Sequence, residues 1–289
     1  MKRENPLVVI VGETASGKSA LAMEIAERFN GEIVCADSWT VYKGFDIGTA
    51  KPSLADQRAI PHHLLDIAEP SEGFSAAVFK EVAQHAIQDI QNRRKLPILA
   101  GGSGLYVDSV LYDYGFLEQS DPVKRALLDA MELPSLIAHA NKLGLDMMDI
   151  DIRNKRRVIR HIENMGVRPT KQPVRQSTLV LGLQVPRDEL AKRTEARVDA
   201  MMAQGLEDEV RQLSARYGWD AEPMKGIGYR EWQDYFMGTQ TFSETRQKIL
   251  QNTRQLAKKQ RTWFKRNNSI QWINTRSKTV DLVTTFLNN

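Results

Sequence analysis

Residues Gly12-Glu13-Thr14-Ala15-Ser16-Gly17-Lys18-Ser19 follow the G-x-x-x-x-G-K-[ST] pattern of a phosphate-binding loop. Before them runs Leu7-Val8-Val9-Ile10-Val11, a short apolar, β-branched stretch that reads as a buried strand. After them, Ala20 to Phe29 carries apolar residues at helical spacing. Gly12 and Gly17 let the backbone bend so that several N–H groups, from Gly12 through Thr14, Ala15, Ser16 and Gly17, face one concavity. The helix N-terminus adds partial positive charge there, which favours a polyphosphate. Lys18 is placed to reach the outer phosphates, and the Ser19 hydroxyl to bind Mg²⁺. A strand, this loop and a helix commit the chain to an α/β fold.

The rest of the N-terminal half repeats that alternation. Glu32 to Ala36 reads as a second strand ending at Asp37-Ser38, followed by a long loop from Trp39 to His63. Ser75 to Asn92 is an amphipathic helix with Ser75 as N-cap. Leu96 to Ala100 is another buried strand, running into Gly101-Gly102-Ser103-Gly104 and a helix from Leu105. Alternating strands and helices predict a parallel sheet with ligands bound at the strands' carboxyl ends. Gly12, Asp37 and Gly101 to Ser103 all fall at such ends, so three separated segments should converge on one cleft.

Around residue 115 the pattern changes. From Asp121 to Gly166 there are three short helical stretches and no convincing strand; Thr178 to Val185 then restores one. The spacing predicts helices over 187–203, 206–217, 229–237 and 243–266, and a short strand over 270–273. The expected architecture is a P-loop NTPase-like parallel sheet flanked by helices, built from residues 1–117 and 177–289. A mostly helical insertion spans 118–176.

Charge narrows the partners. The net charge is only +4. Yet Arg246 to Val280 holds ten Lys or Arg and no Asp or Glu, and Arg153 to Arg175 holds eight against Glu163 alone. Two such blocks suit a polyanion larger than a nucleotide. Trp263 and Phe264, amid Lys258, Lys259, Arg261, Lys265 and Arg266, fit either nucleic-acid stacking or an apolar stripe against the core. With Cys35 as the single cysteine, no intrachain disulfide can form, which suits a reducing compartment. The basic start Met1-Lys2-Arg3 precedes too short an apolar run for a signal peptide, and nothing approaches a membrane span. A cytoplasmic monomer without membrane contact is expected. The histidines lack metal-ligand spacing, and His62 and His63 read as structural.

Asp37-Ser38-Trp39-Thr40-Val41-Tyr42-Lys43-Gly44-Phe45-Asp46-Ile47-Gly48-Thr49-Ala50-Lys51-Pro52 closely resembles the signature of the tRNA dimethylallyltransferases. Further segments follow in family order. They are Pro61 to Asp66, Phe74 to Ala77, Gly101 to Tyr106, Asn154 to Arg160, Gly226 to Arg230 and Thr253 to Gln260. The resemblance implies transfer of a dimethylallyl group from dimethylallyl diphosphate to the exocyclic amine of an adenine beside the anticodon, within the tRNA anticodon stem-loop. It implies Asp37 as general base, and Ser103 and Arg197 as diphosphate contacts beside the P-loop. Arg193 shares a helix with Arg197, and only the resemblance selects Arg197. It places Arg157 near the cleft; Ser38 and Thr40 of the signature are expected substrate contacts, and Arg160 in the basic insertion with Lys258, Lys259 and Arg261 in the basic helix are the expected grips on the RNA. Glu13 stands where the family usually has proline, Ser19 and Ser103 where threonine is usual, and Thr40 where many members carry a glutamine that touches the target base. No zinc-finger tail of the eukaryotic members follows, so the resemblance is to the bacterial type.

Two other readings use the same loop. A relative acting on free adenine nucleotide would keep the chemistry, and a small-molecule kinase or nucleotide-hydrolysing switch would require ATP or GTP. The two basic blocks favour tRNA over the first, and the motifs beyond the loop disfavour the second.

Overall fold

The computed structural model describes residues 5–117, 121–274 and 277–288. The basic start at Met1 to Arg3, the expected first residue of the insertion at 118, and Arg276 in the second basic block lie outside them. In chain order the elements are β1 (Leu7–Gly12), α1 (Lys18–Arg28), β2 (Gly31–Cys35), α2 (Leu54–Ala59), β3 (His62–His63) and α3 (Ala76–Asn92). β4 (Leu96–Gly101), α4 (Gly104–Leu111), α5 (Pro122–Ala130), α6 (Leu133–Lys142), α7 (Lys155–Glu163) and β5 (Thr178–Leu183) follow. The chain continues through α8 (Arg187–Ala203), α9 (Leu206–Tyr217), α10 (Gln233–Phe236), α11 (Phe242–Phe264), β6 (Ile270–Ile273) and α12 (Ser277–Asn288).

The chain divides into two compact units, 1–111 with 174–289 and 112–173. In the first, six strands form one sheet in the order β3-β2-β4-β1-β5-β6, every pair parallel. β1 lies inside it, and its Leu7 to Val11 are fully buried, as expected for a strand covered on both faces. One face packs Val8, Ile10, Ile98 and Leu181 against Leu21 and Ile25 of α1 and Val283 and Phe286 of α12. A second core gathers Val41, Tyr42, Phe45, Tyr229 and Trp232 with Val198, Val210 and Ile249, and so anchors the long loop after β2 onto helices α8, α9 and α11.

The smaller unit holds α5, α6 and α7 around Leu128, Leu136, Ala140, Val158, Ile159 and Ile162. Asp121 caps α5 just before Pro122, and Asn154 caps α7. Glu163, whose side chain is 2% exposed, is met by Arg125 and Arg160.

Four differences from the sequence reading have local causes. The loop from Trp39 to His63 contains α2 and β3; α2 has a full capping box between Ser53 and Asp56 but no buried residue, so it lacks the apolar period that flags a helix. The helix expected over 229–237 is a 3₁₀ turn at Arg230–Trp232 followed by α10. There Glu231 turns inward to accept the Gly228 N–H at 2.9 Å and Asn252 Nδ2 at 2.6 Å. β5 stops at Leu183 because Pro186 and α8 follow. Finally, α12 has no counterpart among the expected elements, although Val280, Val283 and Phe286 recur at helical spacing and are buried.

Candidate active site

β1, β2 and β4 deliver their carboxyl ends side by side. Val11 pairs with Gly101, Cys35 with Ala100, and the Ala36 N–H continues the ladder to the Ala100 carbonyl at 2.8 Å. A Cβ on Gly101 would lie 1.9 Å from the Ala36 carbonyl oxygen, so only glycine lets these ends approach so closely.

The phosphate-binding loop leaves β1 at Gly12 and enters α1 through Gly17, whose φ of 93° is left-handed; Ala15 is also left-handed, at 62°. Two loop amides are already taken: Ser16 N–H bonds the Glu13 carbonyl at 3.1 Å, and Thr14 N–H bonds Gln260 Oε1 at 2.7 Å. The amides of Ala15, Gly17, Lys18 and Ser19 are left at the start of the helix for an anion. Lys18 Nζ lies 3.3 Å from the Glu13 carbonyl. Loss of water around its ammonium, and then the charge of Arg197, lower its pKa to about 8, against the opposing pull of Asp37 and Glu13.

A cavity of about 350 Å³ opens beside the loop. Thr14, Lys18, Ser19, Asp37, Arg197 and Lys259 form its polar wall, and Val198, Met201, Ile227, Ile249 and Leu256 its apolar one. Asp37 Oδ1 accepts the Trp39 N–H at 2.9 Å, which fixes the carboxyl group; its other oxygen meets no protein donor among the described residues. Arg197 donates to the Thr49 carbonyl at 3.3 Å, and burial lowers its pKa while Asp37 opposes that. Arg193, four residues earlier, instead holds the Ser16 carbonyl at 3.3 Å and pairs with Glu189, away from this wall. Cys35 also lines the cavity; burial pushes its thiol up to about 12, so it stays a neutral, small core residue.

Thr40 lines the cavity too, buried and with its hydroxyl unpartnered. Ser38 and Ser103 are not on the wall but are joined beside it: Ser38 N–H donates to Ser103 Oγ at 3.0 Å, and the two hydroxyls lie 3.3 Å apart. Lys258 is exposed. Arg261 is held by the Glu13 carboxylate, with Nη2 to Oε2 at 2.9 Å, so it braces the loop. Trp263 and Phe264 face inward: Phe264 is 1% exposed, and Trp263 Nε1 donates to Asp108 at 2.9 Å. Arg157 and Arg160 belong to the smaller unit. Arg157 is exposed, and Arg160 donates to the Leu117 carbonyl at 2.6 Å and to Glu163 at 3.4 Å. His63 bonds Glu32 at 2.7 Å and His62 the Ile60 carbonyl at 2.8 Å, so both are structural.

Three contributors are not among the expected site residues, although Arg230 closes the Gly226 to Arg230 segment. Lys225 and Arg230 line the cavity from the segment around Gly226 to Arg230. Glu209 on α9 accepts the N–H groups of Asp46, Ile47 and Gly48 at 3.2, 2.8 and 3.1 Å and the Tyr229 hydroxyl at 2.7 Å. A Cβ on Gly48 would strike the Tyr229 ring at 2.5 Å, so that turn needs its glycine. An acidic residue at one helix position among many carries no sequence signal for such a role.

Among the described residues no group of three or more His, Cys, Asp or Glu forms a metal cage. A hard cation here would rest on the Ser19 hydroxyl and on oxygens brought by the ligand, which is how Mg²⁺ is commonly held beside phosphates.

A phosphate-binding loop on a parallel sheet, sharing a half-apolar cavity with a fixed carboxylate, defines a P-loop protein of the group-transfer class. The family model described as IPP transferase matches residues 40–267. A tRNA dimethylallyltransferase of Macrococcus caseolyticus is 38% identical over 293 residues, covering 96% of this chain and 93% of that protein. One from Roseiflexus is 42% identical over 275 residues, covering 90% of each. The full-length tRNA isopentenylpyrophosphate transferase of Bacillus halodurans superposes with a TM-score of 0.77 at 34% identity, over 99% of this chain and 97% of that one. A eukaryotic dimethylallyltransferase acting on tRNA shares the fold, with a TM-score of 0.78 at 24% identity, over 93% of this chain and 73% of its own. The chain belongs to the IPP transferase family.

Proposed function

We propose that the protein transfers the dimethylallyl group of dimethylallyl diphosphate to N6 of the adenine adjacent to the anticodon in tRNA, releasing diphosphate. The observation that carries this is the cavity itself. Its polar wall presents an anion cradle (the P-loop, Lys18, Ser19 and Arg197) together with Asp37, and its apolar wall of Val198, Met201, Ile227, Ile249 and Leu256 suits a five-carbon hydrocarbon. The adenine amine is a weak nucleophile because its lone pair is delocalised into the ring. The free oxygen of Asp37 orients that amine and takes its proton as the N–C bond forms. The allyl C–O bond breaks at the same carbon, and the electron pair leaves with the diphosphate. Lys18, Arg197 and the loop amides stabilise the charge gathered on the departing bridging oxygen. Mg²⁺ at Ser19 would neutralise part of the same charge.

The target base must leave its stack to reach Asp37. Thr40, whose hydroxyl is buried and unpartnered beside the cavity, would meet an edge of the base once that hydroxyl turns outward, and Ser38 and Ser103 shape the adjoining wall through their mutual bonds. Lys258 and Lys259 on α11, together with Arg157 and Arg160 on the helical insertion, contact the RNA backbone; Arg261 supports the loop through Glu13. The enzyme acts as a cytoplasmic monomer. No helix among the described residues is long and apolar enough to cross a membrane.

The test is an assay with purified protein, Mg²⁺, labelled dimethylallyl diphosphate and unmodified tRNA, with AMP as a competing acceptor. Label appearing on a tRNA adenine next to the anticodon, undiminished by AMP, is the expected result. Label on AMP alone, or on neither, would overturn the proposal.

A further inference from the structure

Gln260 has no part in the chemistry above, yet its carboxamide occupies the junction of two site loops. It is 9% exposed and sits on the cavity wall. Its Oε1 accepts the Thr14 N–H of the phosphate-binding loop at 2.7 Å, and its Nε2 donates to the Gly102 carbonyl, after β4, at 3.1 Å. A Cβ on Gly102 would lie 2.4 Å from that Nε2, so any larger residue there would push the amide from its seat. The two neighbouring grips come from the same stretch of α11: Arg261 holds Glu13, and Trp263 holds Asp108 of α4 while its ring fills the space beside Gly104.

We infer that Gln260 is a positioning residue for the transfer reaction, setting the diphosphate cradle against the segment that carries Ser103. Only a carboxamide fits both bonds. A carboxylate accepts from Thr14 but cannot donate to Gly102, and an ammonium does the reverse. Because Thr14 lies inside the cradle, the direction of the following peptides, whose amides face the diphosphate, depends on where Gln260 holds it. Gly102 directly precedes Ser103, whose hydroxyl orders Ser38 beside Asp37. One amide therefore fixes the spacing between the anion site and the wall that bears the base. Since α11 also carries Lys258 and Lys259, RNA contact on its outer face and phosphate geometry on its inner face share one rigid element. The inference deepens the proposed transfer reaction and rests on it for its kinetic meaning, but its structural part is testable with inorganic diphosphate alone.

The informative variant is Gln260→Glu, which keeps the acceptor for Thr14 and sets a carboxylate against the Gly102 carbonyl until it is protonated. Mg²⁺–diphosphate affinity, and kcat and KM for dimethylallyl diphosphate, would be measured from pH 6 to pH 8.5 in variant and wild type. Lys18, Asp37, Arg197 and Lys259 share the cavity wall with Gln260, and Glu13, Asp108 and Arg261 belong to the neighbouring grips of α11; all are the same in both proteins, so the ratio of the two profiles isolates position 260. At pH 8.5 the variant should bind diphosphate at least about fivefold more weakly and show a raised KM, with tRNA affinity unchanged. The deficit should shrink toward pH 6, where the carboxyl group regains a donor. Gln260→Met, lacking both bonds, should show the deficit at every pH. Should Gln260→Glu not fold, Gly102→Ala, which displaces the amide from the other side, is expected to weaken diphosphate binding in the same way. Diphosphate affinity equal to wild type in the folded variants, or a loss confined to tRNA affinity, would overturn the inference. A wild type that binds diphosphate but transfers no allyl group would defeat the reaction proposal while leaving the positioning test readable.

Discussion

An ammonium group at the start of α1 that has lost water and faces a guanidinium gives up its proton far more easily than a solvated one. Lys18 is in that position, with its pKa lowered to about 8. Two consequences of opposite sign follow. For folding, the unfolded chain binds the proton more tightly than the folded one between about pH 8 and the ordinary 10.5, so this group makes the protein more stable as pH rises through that interval. For binding, the diphosphate needs the charged form, so affinity is full below pH 8 and declines above it. Calorimetry with Mg²⁺–diphosphate should find binding that weakens above pH 8 and takes up a proton near that pH. A flat profile through pH 9 would mean that Lys18 does not contact the anion. The P-loop pattern identifies this lysine, but its depressed pKa comes first from burial and then from Arg197, 179 positions away in a different helix, and no local pattern reports either.

At the scale of elements, the long segment after β2 is held less by regular structure than by one carboxylate. Glu209 on α9 gathers three consecutive backbone N–H groups and the Tyr229 hydroxyl, and so fixes the stretch that runs from Asp37 and Thr40 to Thr49. Glu209→Ala leaves those donors unsatisfied and should cost about 2 kcal/mol, with the melting temperature lowered by several degrees. Thermal unfolding checks this, and a shift below about 1 °C would show the loop to be held by its apolar core alone.

The same segment marks where the sequence is legible. β1, β4 and β6 and helices α3, α8, α9 and α11 announce themselves through apolar period and caps, because burial of one face dictates residue type every second or every third to fourth position. Asp37, Lys18 and Ser19 are legible through motif and strand-end position. Glu209, the two bonds of Gln260 and the pairing of Glu13 with Arg261 are not, since a polar residue that satisfies a distant loop looks like any surface residue until the chain is folded. Trp263 and Phe264 admit two readings, and the fold resolves them: Phe264 is buried and the Trp263 indole bonds Asp108, which leaves Lys258, Lys259, Lys265 and Arg266 as the exposed cations of that stretch.

On the proposed function, labour is divided between a parallel sheet that builds the cavity and exposed cations that would hold a much larger substrate. Cations on α11 that touch phosphates release counterions when RNA binds, so tRNA affinity should fall steeply with salt. Replacing Lys258 and Lys259 with alanine should weaken binding and lower the slope of log affinity against log salt by about 1 to 2, at roughly 0.7–0.9 for each phosphate no longer neutralised. The rate of transfer at saturating tRNA should be little changed by Lys258→Ala alone. An unchanged slope in the double variant would assign the RNA grip to other residues.

The central claim is that Asp37 removes the proton from the attacking adenine amine, and Asp37→Asn tests it most directly. Asparagine keeps an oxygen for the Trp39 N–H, and with it the local turn, but cannot accept a proton. Single-turnover transfer with labelled dimethylallyl diphosphate and saturating tRNA should slow by at least about 10², while affinities for tRNA and diphosphate stay within about threefold of wild type, less than about 1 kcal/mol. A transfer rate near that of wild type, or a loss of rate matched by an equal loss of affinity, would contradict that role.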